Sequence, residues 1–306
     1  MKRQNIILDC DPGHDDAIAL LLACYSPKLN ILGVSTCSGN QTVEKTSRNA
    51  SNLLHYFLKE NIPIAVGSPN PLVRDSRICP EIHGESGLDG FDFPEYEHKY
   101  SPLKGYELII KLLKENDDVI VITTGPMTNL ALAIKNEPSI VNRIKEIVLM
   151  GGSTGEGNVT KAAEFNILVD PEAADICFTC GVPLRMLGLN VTRQILVKDE
   201  IIDTVEKLHT RGSELFVKLM KVFNYNQRTY FGLEAGPLHD PATIVSLIND
   251  KAFKFEKMNV KIDTGFTDQA GKTICNKKEP YNALVAVDVN LEEYWKEIFN
   301  HIKLCI

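Results

Sequence analysis

A short apolar run, Ile6-Ile7-Leu8, leads directly into Asp9-Cys10-Asp11-Pro12-Gly13-His14-Asp15-Asp16, which places four carboxylates within eight residues. Acids this crowded repel one another unless a positive charge sits among them, and hard cations such as Ca²⁺ or Mg²⁺ favour an all-oxygen shell. Gly13 lets the turn fold tightly, and Pro12 fixes its entry. Asp15 and Asp16 would also suit the N-terminus of the helix-like stretch Ala17 to Ala23, where the helix dipole favours negative charge. Capping needs one or two acids rather than four, so the pattern points to a metal site.

Three further clusters carry polar chemistry. His239-Asp240-Pro241 sets an imidazole beside a carboxylate at a helix start. Asp240 there reads equally as an N-cap with Pro241 at the first helical position. His239 is able to donate a proton near neutral pH. Asn158, Glu164 and Asn166 space three polar side chains through one segment, close to Met150-Gly151-Gly152, and hint at a sugar-sized polar ligand. Thr123-Thr124-Gly125 ends an apolar run and could offer a backbone carbonyl to a cation. No G-x-G-x-x-G in a strand-to-helix setting, no P-loop and no G-x-S-x-G is present. A cation among carboxylates can bind vicinal hydroxyls and acidify a water. With a His to protonate a leaving group, that suits hydrolysis of a glycosidic bond.

The elements that must position these residues alternate. Short apolar runs at Ile6-Asp9, Ile31-Thr36, Ile64-Val66, Val119-Thr123, Glu146-Met150 and Leu184-Leu189 suit strands buried on both faces of a parallel sheet. Helical patterns fall between them at His14-Tyr25, Val43-Lys59, Gly105-Glu115, Thr128-Asn136 and Pro171-Cys180, the last opened by Asp170 and Pro171. Beyond residue 198 the chain reads as mostly helical, with a short β segment at Phe253-Ile262 and Ala283-Val287. We expect a single α/β domain over residues 1–306, with a parallel-dominated central sheet flanked by helices, a Rossmann-like core and a mostly helical C-terminal third. Ligands in such sheets collect at the carboxyl ends of strands, where Asp11, Asn40, Thr124, Gly151 and Asn190 fall. The segment 75–92, rich in Gly, Pro and charge, reads as a mobile loop over that site.

Composition narrows the class further. The 306 residues are 44% hydrophobic and 24% charged, as in an ordinary globular protein, and the net charge of −7 argues against nucleic-acid or acidic-membrane partners. No secretory pattern precedes the first strand, and the longest apolar run, Ala17 to Cys24, is far too short to span a bilayer. A cytoplasmic location is the simplest expectation. The Cys177/Cys180 pair has neither a second pair nor a suitable His nearby, so reduced structural thiols are expected.

Taken together, Asp9 to Asp16, Gly39-Asn40-Gln41-Thr42, Ile82-His83-Gly84-Glu85, Met150-Gly151-Gly152, Ala163-Glu164-Phe165-Asn166 and His239-Asp240-Pro241 resemble the calcium-dependent nucleoside hydrolases of the inosine–uridine-preferring superfamily, almost from end to end. The resemblance implies that Ca²⁺ is held by the carboxylates of Asp11, Asp16 and Asp240 and the backbone carbonyl of Thr124. It implies that a Ca²⁺-bound water attacks C1′ of a ribonucleoside, with Asp11 as base, through an oxocarbenium-like transition state. Asp15 would take the 2′-hydroxyl, Asn166 the 3′-hydroxyl, and Asn158 with Glu164 the 5′-hydroxyl, beside Met150. Asn40 would help position the water, His239 would face the nucleobase as acid, and His83 would lie on the loop above it. Asp9 resembles a supporting residue more than a ligand, and Asn190 is a weaker member of the set. Gln227 matches a position that contacts the base in pyrimidine-preferring relatives, with Tyr230 or Phe231 beside it, so uridine and cytidine are expected substrates. The alternative is purine or broad inosine–uridine specificity. A homodimer or homotetramer is also implied. Two remoter readings remain: a haloacid-dehalogenase-type phosphatase, which shares the strand followed by Asp-x-Asp, and a non-catalytic nucleoside binder on the same scaffold.

Overall fold

The structure, a computed structural model, describes residues 3–306. Nine strands form one sheet: β1 (Gln4–Cys10), β2 (Leu29–Thr36), β3 (Ile64–Val66), β4 (Val119–Thr123), β5 (Ile144–Met150), β6 (Leu184–Leu187), β7 (Phe253–Ile262), β8 (Thr273–Asn276) and β9 (Ala283–Val289). The helices are α1 (His14–Tyr25), α2 (Val43–Tyr56), α3 (Pro80–His83), α4 (Gly105–Glu115), α5 (Thr128–Asn136), α6 (Phe165–Val169), α7 (Pro171–Thr179), α8 (Leu189–Thr192), α9 (Asp199–Glu206), α10 (Arg211–Phe231), α11 (Pro241–Ile248) and α12 (Leu291–Ile302).

Strand order is β3-β2-β1-β4-β5-β6-β9-β7-β8. Every pair from β3 to β9 is parallel, and β7 and β8 then run antiparallel at the edge. The expected α/β architecture with a parallel-dominated sheet is therefore what the chain adopts. The apolar runs are continuous because both faces are covered. Ile6 and Leu8 point into a core shared with α1, α10, α11 and α12, whereas Ile7 points into a second core with α4, α5 and α7. The C-terminal third carries α9 to α12 where helices were expected. It also supplies three strands, of which β8 was not anticipated because Thr273–Asn276 is short and has a single buried position.

Two features of the topology place the site. The chain leaves β1 towards β2 and β3, then returns to add β4 on the other side, so the carboxyl ends of β1 and β4 face a switch point where the crossovers diverge. Helix α1 is buried from His14 to Ala23, too apolar all round to lie on a surface, and it packs along α11. That packing brings the start of α11 beside the start of α1, although the two lie far apart in sequence.

Candidate active site

The β1–α1 turn places Asp15 and Asp16 in the first turn of α1. Asp240 stands immediately before α11, but its backbone is already helical (φ −66°, ψ −37°) and its side chain makes no capping hydrogen bond. The N-cap reading of Asp240 is thus incorrect, and its carboxylate is free to turn inward. Side-chain oxygens of Asp15, Asp16 and Asp240 all lie within 4.8 Å of one another, and all three residues are buried. Asp11 lies at the end of β1, fully buried. Its Oδ2 accepts the Asn40 backbone N–H at 2.7 Å, while its Oδ1 is buried without a hydrogen-bond partner. The backbone at Gly125 comes so close that a Cβ there would sit 2.4 Å from Asp11 Oδ1.

Burying ionised carboxylates together is costly unless they are paired. Burial therefore pushes all of these acids up, and their mutual repulsion adds to it: Asp15 to about 7, and Asp11 and Asp240 well above the usual carboxylate range. Burial raises Asp16 as well, although the Thr124 hydroxyl and the Gly13 amide donate to it and oppose the rise. Asp240 approaches both Asp15 and Asp16 to within 4.8 Å, an arrangement that is repulsive for ionised carboxylates unless a proton or a cation lies among them. An all-oxygen donor set, an unpartnered buried oxygen on Asp11 and acids held against one another fit a hard divalent cation. Asp15, expected as a hydroxyl ligand, belongs to the tight cluster, whereas Asp11 lies outside its three members.

Above the acids opens a cavity of about 830 Å³. Asp15, Asn40, Thr124, Met150, Asn158, Glu164, Asn166, His83, Gln227, Phe231, His239 and Asp240 all line it, and Asp11 and Asp16 do not reach its wall. Tyr230 is the exception among the expected residues on α10. It is 61% exposed and faces away from the cavity, so Phe231 is the inward member of that pair.

Several side chains are already engaged. Thr124 donates its hydroxyl to Asp16 Oδ1 at 2.7 Å, and its backbone carbonyl accepts from Asn166 Nδ2 at 2.8 Å. A carbonyl has a second lone pair for a cation. Asn40 Nδ2 donates to Asp16 Oδ2 at 3.0 Å. Glu164 caps α6, accepting from the backbone N–H groups of Gly152, Asn166 and Ile167. Burial raises its carboxyl to about 6 even so. Asn158 Oδ1 accepts from the Phe165 amide, which leaves its Nδ2 for a ligand. Asn190 is held by the Thr154 amide and the Ala286 carbonyl, and is absent from the wall.

On the opposite wall, His239 Nδ1 lies 2.7 Å from the Thr192 hydroxyl. Burial pulls its imidazole down to about 3, with the Arg193 charge acting in the same sense, so the ring is neutral at physiological pH. Phe223 also lines the cavity and was not singled out from sequence. The signal existed: Phe223, Gln227 and Phe231 repeat every fourth residue on one face of α10. Arg193 lines the cavity too, with its guanidinium donating to the carbonyls of Glu156 and Gly157. The segment 75–92 contains α3, and Arg77 to His83 form part of the wall, with Gln41 donating to the carbonyls of Gly84 and Glu85.

Comparison with known proteins gives concordant matches. The profile of the inosine-uridine preferring nucleoside hydrolase family matches residues 6–296. The pyrimidine-specific ribonucleoside hydrolase RihB of Shigella flexneri serotype 5b is 39% identical over 300 residues, covering 96% of each chain. The protein of the same name in Escherichia coli strain K12 shows the same identity and coverage. Among solved structures, the plant nucleoside hydrolase PpNRh1 superposes with a TM-score of 0.93 at 28% identity, covering 99% of each chain. The purine-preferring ribonucleoside hydrolase from Gardnerella vaginalis gives a TM-score of 0.92 at 30% identity, covering 98% of each chain.

Proposed function

The chain belongs to the inosine-uridine preferring nucleoside hydrolase family, and from that premise we propose that it hydrolyses the N-glycosidic bond of pyrimidine ribonucleosides, uridine and cytidine, to free base and ribose. The observation that carries the chemistry is the convergence of Asp240 with Asp15 and Asp16 at the base of a nucleoside-sized cavity.

Asp11, Asp16, Asp240 and the Thr124 carbonyl would hold a Ca²⁺ ion, which when bound keeps these acids ionised, anchors vicinal hydroxyls and acidifies water. The residues of the chain then divide the work. Asp11, whose unpartnered Oδ1 is buried behind the cavity wall, would accept the proton of the attacking water as the water oxygen bonds to C1′ and the C1′–N bond breaks. Asp15 and Asn166 receive the ribose 2′- and 3′-hydroxyls, and Asn158 with Glu164 the 5′-hydroxyl. The surrounding carboxylates favour positive charge developing on the ribosyl ring. The departing base leaves with the bonding electrons, held by a hydrogen bond from the His239 side of the cavity, and takes up a proton from solvent, while Asp11 returns the water's proton to solvent and the balance closes. The same reading carries over a homo-oligomeric assembly, which light scattering in solution would measure.

For the base, Phe223 offers an aromatic face and Gln227, only 6% exposed, offers an amide edge. A purine preference is the second reading, favoured by the match to the Gardnerella vaginalis enzyme. Turnover of uridine, cytidine and inosine by one preparation, with and without chelation, tests both. We expect uridine and cytidine to lead, and activity to vanish on chelation and return with Ca²⁺. Inosine well ahead would overturn the base assignment, and undiminished turnover after chelation would overturn the metal assignment.

A further inference from the structure

His14 is fully buried beside the acid turn, yet it is not part of the cavity wall. A buried imidazole needs partners for its nitrogens. Those it has all belong to the segment that carries His83. The His14 backbone N–H donates to His83 Nδ1 at 3.2 Å, and the two Nδ1 atoms are 3.3 Å apart. His14 Nε2 lies 2.9 Å from the backbone carbonyl of Asp89. A carbonyl only accepts, so that nitrogen carries the hydrogen. The two imidazoles lie at 25° to each other with centroids 5.4 Å apart, and both stack against Phe223, at 5.6 and 6.0 Å.

The fit is close on every side. A Cβ on Gly13 would come within 2.5 Å of His83 Nδ1, so the turn presses directly on that ring. Asn226 Nδ2 donates to the Ile82 carbonyl at 2.9 Å from the α10 side. The Asp89 carboxylate accepts from the amides of Glu85 and Ser86, closing the 85–89 stretch on itself. His83 therefore has its Nδ1 edge against His14, and Nε2 is the nitrogen left to meet a substrate.

We propose that His14 is a positioning residue that seats the His83 ring over the cavity, so that the turn bearing Asp15 and Asp16 also sets the geometry of the leaving-group side. The inference rests on the nucleoside hydrolase reading and adds to it a residue that touches neither metal ligand shell nor substrate. Misplacing a reacting group by about 1 Å can cost roughly 100-fold in rate.

The test compares uridine with p-nitrophenyl β-D-ribofuranoside, whose nitrophenolate leaves without help from an N–H donor. His14→Phe keeps the ring stack and removes the nitrogens, and His14→Gln keeps a donor for the Asp89 carbonyl. We expect His14→Phe to lower kcat on uridine about tenfold or more, with KM and the nitrophenyl substrate changed less than about threefold. His14→Gln should recover part of the loss, and adding His14→Phe to His83→Ala should cost little more than His83→Ala alone, because His14 acts only through His83. Equal losses on both substrates, or losses that multiply, would overturn the proposal. If the wild-type protein cleaves neither riboside, the hydrolase reading itself is wrong. Amide exchange over residues 84–90 of the metal-free protein then decides: faster exchange in His14→Phe supports the seating role, and unchanged exchange refutes it.

Discussion

Asp11 combines two properties that rarely coexist in a folded interior: an acid buried to 0% exposure and one oxygen left without a partner. Such an atom persists only where something else completes it, because a buried unsatisfied polar group costs about 1–3 kcal/mol and more if charged. Asp11→Asn preserves the shape while removing the proposed proton acceptor and one proposed anionic ligand. Turnover of uridine should fall at least about a thousandfold with the circular dichroism spectrum unchanged. Retention of more than a tenth of the activity would assign the base elsewhere. The acid turn was legible in the sequence because its four carboxylates fall within eight residues, and so short a segment keeps them near one another after folding. Asp240 was legible only as a residue type: its local context fits a helix cap equally well, and only the packing of α11 on α1 decides for the cluster. Glu164 shows the reverse, since its capping of α6 is visible only once Phe165–Val169 is known to be helical.

Under the proposed function, helix α10 is the element on which base selection would turn. Its C-terminal half sends Phe223, Gln227 and Phe231 into the cavity and leaves Tyr230 in solvent, a division set by the helical repeat alone. Losing a buried hydrogen-bonding partner discriminates more strongly than losing apolar contact, because the substrate's polar edge is left unpaired. Gln227→Leu should therefore lower kcat/KM for uridine about 10- to 100-fold and for inosine less than about threefold. Equal losses would show that Gln227 shapes the wall without reading the base. The longer helices were readable from their period and their ends: α4 and α5 fall where the pattern placed them, and Asp170 caps α7 before Pro171, as its type suggests. The short ones were not. α3, α6 and α8 have five residues or fewer and no period to detect, and they are held by tertiary contacts.

At the scale of the whole molecule, the buried acids tie stability to protons and, on the proposed function, to metal. Asp15 is raised from 3.8 to about 7, and Asp9 from 3.8 to about 6, chiefly by burial. A group raised in this way contributes most below its ordinary value and loses that contribution as pH climbs through its folded value. Metal-free protein should accordingly lose stability between about pH 4 and 7, and a cation that replaces the missing proton should restore it. The rise in Tm on adding Ca²⁺ should thus be larger at pH 8 than at pH 5. A rise independent of pH would mean that calcium binds away from these acids. The molecule also draws its carboxylates from distant parts of the polypeptide, since Asp16 sits on the first helix and Asp240 just before the eleventh. A chain emerging from the ribosome cannot assemble the cluster until the segment around Asp240 has been made and docked. If the cluster holds the proposed ion, its capture is a late event in biogenesis, a seal on a finished molecule in place of a seed for folding, and unfinished chains would leave calcium untouched.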